Sequence, residues 1–217
     1  MNLYIIRHGE STWNKENKIQ GHSNPCLSKT GLLQARFLAK RFADIKVDRL
    51  YSSPLLRSYQ TARAVSSALK LKIIKKEGLK EIGLGEWESK TPDEIDRLYD
   101  NKYLKWLKVG PTKVRIPGAE GISIFRKRID RAFADIIREN SGRDNIVVVT
   151  HGGVIASFLA RLIRADFDRL ILKLHLPNTC VTLVSFEEGR GCLIHIADTF
   201  HLPKRKIKDL WPAKSQK

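Results

Sequence analysis

Methionine occurs once in this chain, cysteine three times, and acidic residues number 23 against 40 lysines and arginines. Each scarcity excludes something. Cys26, Cys180 and Cys192 have no metal-ligand spacing, and none sits in a recognisable nucleophile setting. They read as free, mostly buried thiols of a reducing compartment, so a cytoplasmic location is expected. No apolar run approaches the roughly 18 residues that suggest a membrane span, and no membrane association is expected. No basic leader precedes the apolar residues of MNLYIIRHGE, so this start reads as a strand rather than a signal peptide. The shortage of acid leaves a net charge of +17. Either an anionic small substrate or a nucleic acid answers such a charge. No aromatic-rich basic motif of the single-strand-binding type is present, so nucleic acid is disfavoured. Part of the excess sits in a tail, 203–217, with six basic residues and Asp209 as its one acid.

A chain of 217 residues is long enough for one large domain, or one domain with an insertion, and for a substantial core. Leu3 to Ile6, Val47 to Tyr51, Leu71 to Ile74 and Asn145 to Thr150 read as strands. Helical spacing runs from Ser28 through Phe42, with Leu32, Ala35, Leu38, Ala39 and Phe42 as its apolar positions, from Leu55 to about Leu69, from Gly121 to Glu139 and from Val154 to Ile163. Strands alternating with helices imply an α/β fold: a three-layer α/β/α sandwich around a mostly parallel sheet. Pro54 is expected near the first helical position after the second strand, and Thr91-Pro92 reads as a helix cap followed by proline. Cys180 to Phe186 and Cys192 to Ala197 form a hairpin around 187–191. The rhythm breaks over 83–119, which reads as a helical insertion or lid over the sheet edge of a catalytic domain spanning 1–202. Exposed sheet edges and the tail leave room for a homodimer.

Ligands in open α/β sheets bind beyond the carboxyl ends of the strands. Arg7-His8-Gly9 ends the first strand and His151-Gly152-Gly153 ends the fourth. Arg57 lies one turn into the helix after the second, and Glu81 follows the third. Two arginines can clamp the oxygens of a phosphate monoester through paired N–H donors, with His151 as a further donor. A neutral His8 ring nitrogen can attack phosphorus in line. Nearby cations disfavour imidazolium and keep that nitrogen nucleophilic. The leaving alkoxide needs a proton, and Glu81 is the natural general acid. Glu86 and Glu88 lie close by, but Glu81 follows the strand directly. No metal and no cofactor are required, because the cations are side chains. His22, His175, His195 and His201 lack such company and read as structural or solvated.

Arg7-His8-Gly9-Glu10-Ser11-Thr12-Trp13-Asn14 resembles the signature of the histidine phosphatase superfamily, also called phosphoglycerate mutase-like. The resemblance extends over Gln20-Gly21, Leu27 to Gly31 and Tyr51 to Ser58. It continues through Glu81 with Gly85 to Glu88, Gly118-Glu120-Gly121 and Val149 to Gly153. It implies His8 as the phosphorylated nucleophile and Glu81 as proton donor. It further implies Arg7, Arg57 and His151 as the phosphate pocket, with Asn14, Gln20, Gly21 and Gly152 nearby. Mutase-type members continue after the acid with His-Tyr-Gly and Gly-Leu-Asn-Lys. Here Ile82 to Ser89 is similar instead to the phosphatase branch: broad-specificity, α-ribazole and metal-independent phosphoserine phosphatases. The expected activity is hydrolysis of a small phosphorylated metabolite. A phosphoglycerate mutase and a non-catalytic basic binding module are the alternatives.

Overall fold

The computed structural model describes residues 1–203, so all of the basic tail but Pro203 lies outside the described residues. In chain order the elements are β1 (Asn2–Arg7), α1 (Thr12–Lys15), α2 (Lys29–Phe42), β2 (Arg49–Ser52), α3 (Leu56–Leu69), β3 (Ile73–Lys75), α4 (Pro92–Leu98), α5 (Lys102–Val109), α6 (Ile122–Glu139), β4 (Asn145–Thr150), α7 (Gly152–Leu162), α8 (Phe167–Lys173), β5 (Val181–Glu187) and β6 (Arg190–Asp198). The sheet runs β3-β2-β4-β1-β5-β6. The first four strands in that order are mutually parallel, and the β5–β6 hairpin is added antiparallel along β1. The expected mostly parallel sheet is thus present, with the hairpin closing one side.

Successive strand residues point to opposite faces, so a strand covered on both sides must be apolar throughout. β4 reads Asn-Ile-Val-Val-Val-Thr for that reason. Ile146 and Val148 join Leu3, Ile5, Phe125, Ile129, Phe133, Ile155 and Leu159 in one buried cluster beneath α6 and α7. Val147 and Val149 join Ile6, Leu38, Phe42, Ala62 and Val65 beneath α2 and α3. These are the two outer layers of the sandwich. Each fully buried aliphatic side chain contributes about 1.5–3 kcal/mol, so the central strands are held rigidly from both faces.

Local signals set the element ends. Ser28 caps α2, accepting from the Gly31 N–H at 3.0 Å and donating to Glu10 at 2.6 Å. Thr91 and Glu94 form a reciprocal capping box with Pro92 at the first helical position of α4. Glu188 and Gly189 both have positive φ, as a two-residue hairpin turn requires. Several expectations need correction. Pro54 lies ahead of the cap residue Leu55, which is extended, so it rigidifies the turn rather than opening the helix. Leu32 points to solvent, 47 % exposed, because the buried face of α2 follows Gly31, Gln34, Ala35, Leu38 and Phe42. Only Cys180 is buried. Cys26 lies in an exposed loop and Cys192 on the solvent side of edge strand β6. Helices α1 and α8 are too short to show a periodicity, and neither was expected.

Residues 83–119 hold α4 and α5, anchored by Trp87, which is almost wholly buried. Tyr103 lies 6.1 Å from the Trp87 ring and stacks on Trp106 at 5.8 Å. At the far end of this segment, Asp168 accepts from the Thr112 N–H at 3.1 Å and from its hydroxyl. No helix among the described residues is long and apolar enough to cross a membrane.

Candidate active site

β1 and β4 are hydrogen-bonded neighbours at the centre of the sheet, in the register Arg7↔Thr150. The residues that follow them therefore emerge side by side. The His8 and His151 rings lie 5.2 Å apart, both buried. Glycine at position 9 lets this turn lie against α2: a Cβ there would sit 2.9 Å from the Gly31 carbonyl oxygen.

His8 is 3 % exposed, and its Nδ1 lies 2.7 Å from the Gly9 carbonyl. A carbonyl only accepts, so Nδ1 carries the proton and donates it. Nε2 is left with a free lone pair. Burial, followed by the Arg57 and Arg7 charges, pushes the His8 pKa well below the ordinary histidine value. The ring is therefore neutral across the physiological range.

Arg57 is 1 % exposed and sits one turn into α3. Its Nη1 donates to the Ser23 carbonyl at 2.8 Å and its Nη2 to the Gly21 carbonyl at 2.9 Å. Burial lowers its pKa to about 10, so it keeps its charge. Arg7 donates from Nη1 to the Leu176 carbonyl. Nε of Arg7, Nε of Arg57 and Nδ1 of His151 are buried without a protein partner. His151 Nε2 is held by the hydroxyls of Ser53 at 2.8 Å and Ser58 at 3.3 Å. Three buried, unpartnered ring or guanidinium nitrogens in one cluster are costly unless a ligand satisfies them. Two belong to cations, so that ligand is an anion.

Glu81 faces the same cluster. Its carboxylate accepts from the Ile82 N–H at 3.0 Å and the Gly153 N–H at 3.1 Å. A Cβ at Gly153 would come within 2.4 Å of the carboxylate, so glycine is needed for this approach. Arg128 fixes the backbone beneath it, donating to the carbonyls of Gly78, Lys80 and Glu81 at 3.0, 2.7 and 2.7 Å. The same guanidinium makes a fork with Glu120, at 2.6 and 2.7 Å.

Asn14 and Gln20 complete one side. Ser11 caps α1, donating from its backbone N–H to Asn14 Oδ1 at 3.1 Å and from its hydroxyl to Gln20 Oε1 at 2.8 Å. Asn178 donates to the His8 carbonyl at 3.0 Å and reaches Asn14 Oδ1 at 3.4 Å. With both amide oxygens occupied by donors, the amide NH2 groups are what remain for an anion. Gly21 has φ of +49° and contributes the carbonyl that holds Arg57. Gly152 opens α7 against Arg7: its Cβ position would be 3.9 Å from Arg7 Nε. All nine residues singled out in the sequence thus lie in one connected cluster.

Residues that sequence reasoning passed over hold this cluster in place. Ser53 and Ser58 orient His151. Arg128 supports Glu81 from 47 positions downstream. Glu88 accepts from the His22 and Ser23 N–H groups, the Ser23 hydroxyl and the Leu84 N–H, within 2.6–2.9 Å. It thereby locks the loop that carries the Arg57 acceptors. Ser53, Ser58 and Glu88 do stand within the quoted motifs, but nothing in a linear sequence marks Arg128. Cys180 is buried beside Arg7, and burial pushes its thiol up to about 12, which rules it out as a thiolate nucleophile. Among the described residues, no group of three or more His, Cys, Asp or Glu side chains is placed to hold a metal ion.

The buried histidines predict a pH dependence of stability. His8 and His151 are both depressed below the ordinary value of 6.5 in the fold, chiefly by burial. Below that pH the unfolded chain takes up protons that the native state refuses, so stability falls as pH falls. Each group contributes a slope of up to about 1.4 kcal/mol per pH unit between its unfolded and folded pKa. Urea denaturation at pH 7.5, 6.5 and 5.5 is expected to show little change over the first interval and a marked loss over the second. A flat profile to pH 5.5 would contradict the buried neutral assignment.

The comparisons with known proteins agree with this geometry. The histidine phosphatase superfamily (branch 1) model matches residues 3–199. The chain is similar to phosphoserine phosphatase 1 of Hydrogenobacter thermophilus, with 30 % identity over 92 % of this chain and 93 % of the relative. It is also similar to phosphoglycerate mutase-like protein 4 of Arabidopsis thaliana, with 35 % identity over 92 % of this chain and 86 % of the relative. Among solved structures, Bacillus stearothermophilus YhfR superposes with a TM-score of 0.86 at 28 % identity, covering 92 % of this chain and 98 % of that one. The chain belongs to the histidine phosphatase superfamily, branch 1, and is a phosphatase.

Proposed function

We propose that this chain hydrolyses the phosphomonoester of a small cytoplasmic metabolite through a phosphohistidine on His8. The observation that carries the reading is the set of three buried, unpartnered nitrogens on Arg7, Arg57 and His151 beside the neutral His8 ring. A phosphate dianion would take those donors, bringing phosphorus against Nε2 of His8. The Nε2 lone pair forms the P–N bond as the P–O bond to the leaving group breaks. The electron pair of that bond leaves on oxygen, and Glu81 supplies its proton. Arg7, Arg57 and His151 stabilise the charge spread over the equatorial oxygens. Glu81, now a carboxylate, takes a proton from water. The water oxygen attacks phosphorus, and the P–N pair returns to Nε2. Inorganic phosphate then leaves.

Phosphatase is favoured over mutase by the Ile82–Ser89 segment, which lacks the mutase continuation and folds as a tight turn around buried Trp87. A phosphate-release assay with p-nitrophenyl phosphate and a panel of metabolites is expected to show hydrolysis. A coupled mutase assay on 3-phosphoglycerate is expected to show none. Transfer without net phosphate release would overturn the hydrolase reading.

Glu81→Gln tests the acid. Its loss in kcat is expected to be about 10²–10⁴-fold on alkyl phosphates, the usual range for removing a general acid. On p-nitrophenyl phosphate the loss in the first step is expected to be much smaller, because that oxide leaves with little help. A burst of p-nitrophenol measured by stopped flow isolates that step. Equal losses on both substrates would remove Glu81 from the role.

A further inference from the structure

The carboxylate that protonates the leaving oxygen also marks where the rest of the leaving group lies. Glu81 is held by the N–H groups of Ile82 and Gly153. Both residues line a cavity of about 560 Å³ enclosed with the 106–122 stretch, α6 and α8. The cavity thus lies against the backbone that holds the Glu81 carboxylate.

The cavity wall is mainly hydrocarbon, with Leu84, Trp106, Ile116, Phe125 and Phe167 among its residues. Its buried or half-buried carboxylates are already engaged. Glu120 is forked to Arg128, and Asp168, just behind the wall, is bonded to Thr112. An amino-carboxylate leaving group such as serine would give up its water there without a buried partner. Lys113 and Arg115 stand at the rim, but both are exposed, where an ion pair contributes little. Hydrocarbon gains on the same transfer. Each buried methylene favours binding by roughly threefold to fourfold.

We propose that this cavity is the leaving-group pocket and that it selects phosphomonoesters of apolar alcohols or phenols over phosphoserine. The proposal rests on the hydrolase reading above for its catalytic form, but binding tests it separately. For the full-length enzyme, kcat/KM is expected to rise about 80- to 250-fold from ethyl to hexyl phosphate, four methylenes at the factor above. Hexyl phosphate is expected to exceed phosphoserine. Val114, in the cavity wall and outside the catalytic cluster, offers a blocking variant. Val114→Trp is expected to lower kcat/KM for hexyl phosphate far more than for ethyl phosphate, flattening the series. Calorimetric titration of the His8→Ala variant with the same alkyl phosphates reads binding without turnover. Affinity that rises with chain length there supports the pocket even if no substrate is hydrolysed, in which case only the hydrolase reading falls. A flat series in both measurements, or phosphoserine preferred over hexyl phosphate, would overturn the pocket while leaving phosphate release intact.

Discussion

Replacing His8 by alanine is expected to lower kcat on every phosphomonoester by about 10⁵-fold or more, the scale seen when a covalent nucleophile is removed. The reason is specific to this ring. Its Nδ1 proton is given to the Gly9 carbonyl at 2.7 Å, so Nε2 is the free base. Burial, followed by the Arg57 and Arg7 charges, keeps that base unprotonated. Among the described residues His151 is the other histidine of the cluster, and its Nε2 is taken by Ser53 and Ser58. The proposed mechanism therefore uses it as a donor to phosphate and not as a second nucleophile. His8 makes a single side-chain hydrogen bond, to its own neighbour, so the variant is expected to fold. Steady-state kinetics on p-nitrophenyl phosphate, with thermal denaturation as a control, checks this. Activity within tenfold of the parent enzyme in a folded variant would sink the covalent mechanism.

Arg57→Ala is expected to be costly twice over. Its guanidinium is fully inside the protein and holds two loop carbonyls, Gly21 and Ser23, at 2.9 and 2.8 Å. Removing it strands both acceptors and opens a side-chain-sized cavity. Hydrogen bonds to charged groups are worth about 1.5–3 kcal/mol each, so about 3–5 kcal/mol of stability is expected to go. Loss of a preorganised cation facing the transferring phosphoryl group is expected to lower kcat/KM by about 10³-fold. Arg57→Lys separates the two effects. Lysine keeps the charge but has no planar fork to hold two carbonyls and a phosphate together. It is expected to recover part of the stability and little of the rate. Urea denaturation and kinetics on both variants decide it. Wild-type kcat/KM in the lysine variant would show that point charge, not geometry, is what the site uses.

Much of this site was legible in the sequence because strand ends place their next residues on one rim. Once β1 and β4 were recognised as buried strands, Arg7, His8 and His151 had to emerge at the same edge. Arg57 followed from the turn after Ser52-Ser53-Pro54, and Glu81 from its place after β3. The sheet order was not legible. The sequence marks strands by their apolar runs but does not say that β4 inserts between β1 and β2, because those pairings are set by contacts across 143 residues (Asn2 to Asn145) and 97 residues (Arg49 to Ile146). The supports of the site were hidden for the same reason. Arg128 looks like one more polar residue on the outer face of α6, and only folding brings it beneath the Glu81 backbone. The error at Leu32 had a different origin. Apolar spacing alone puts Leu32 on the buried face, but α2 buries the face marked by Gly31, Gln34 and Ala35 because the Gly9–Glu10 backbone presses on it. The cavity beside Gly153 was equally invisible, since its walls come from four separate stretches of chain.

The most direct measurement is a search for the phosphoenzyme itself. The protein is mixed with p-nitrophenyl phosphate, quenched in base within milliseconds, digested and analysed by mass spectrometry. The account predicts one phosphorylated peptide containing His8, stable in base, labile in acid, and absent from the His8→Ala variant. Rapid phosphate release with no phosphopeptide at any quench time, or a phosphate found on another residue, would contradict it.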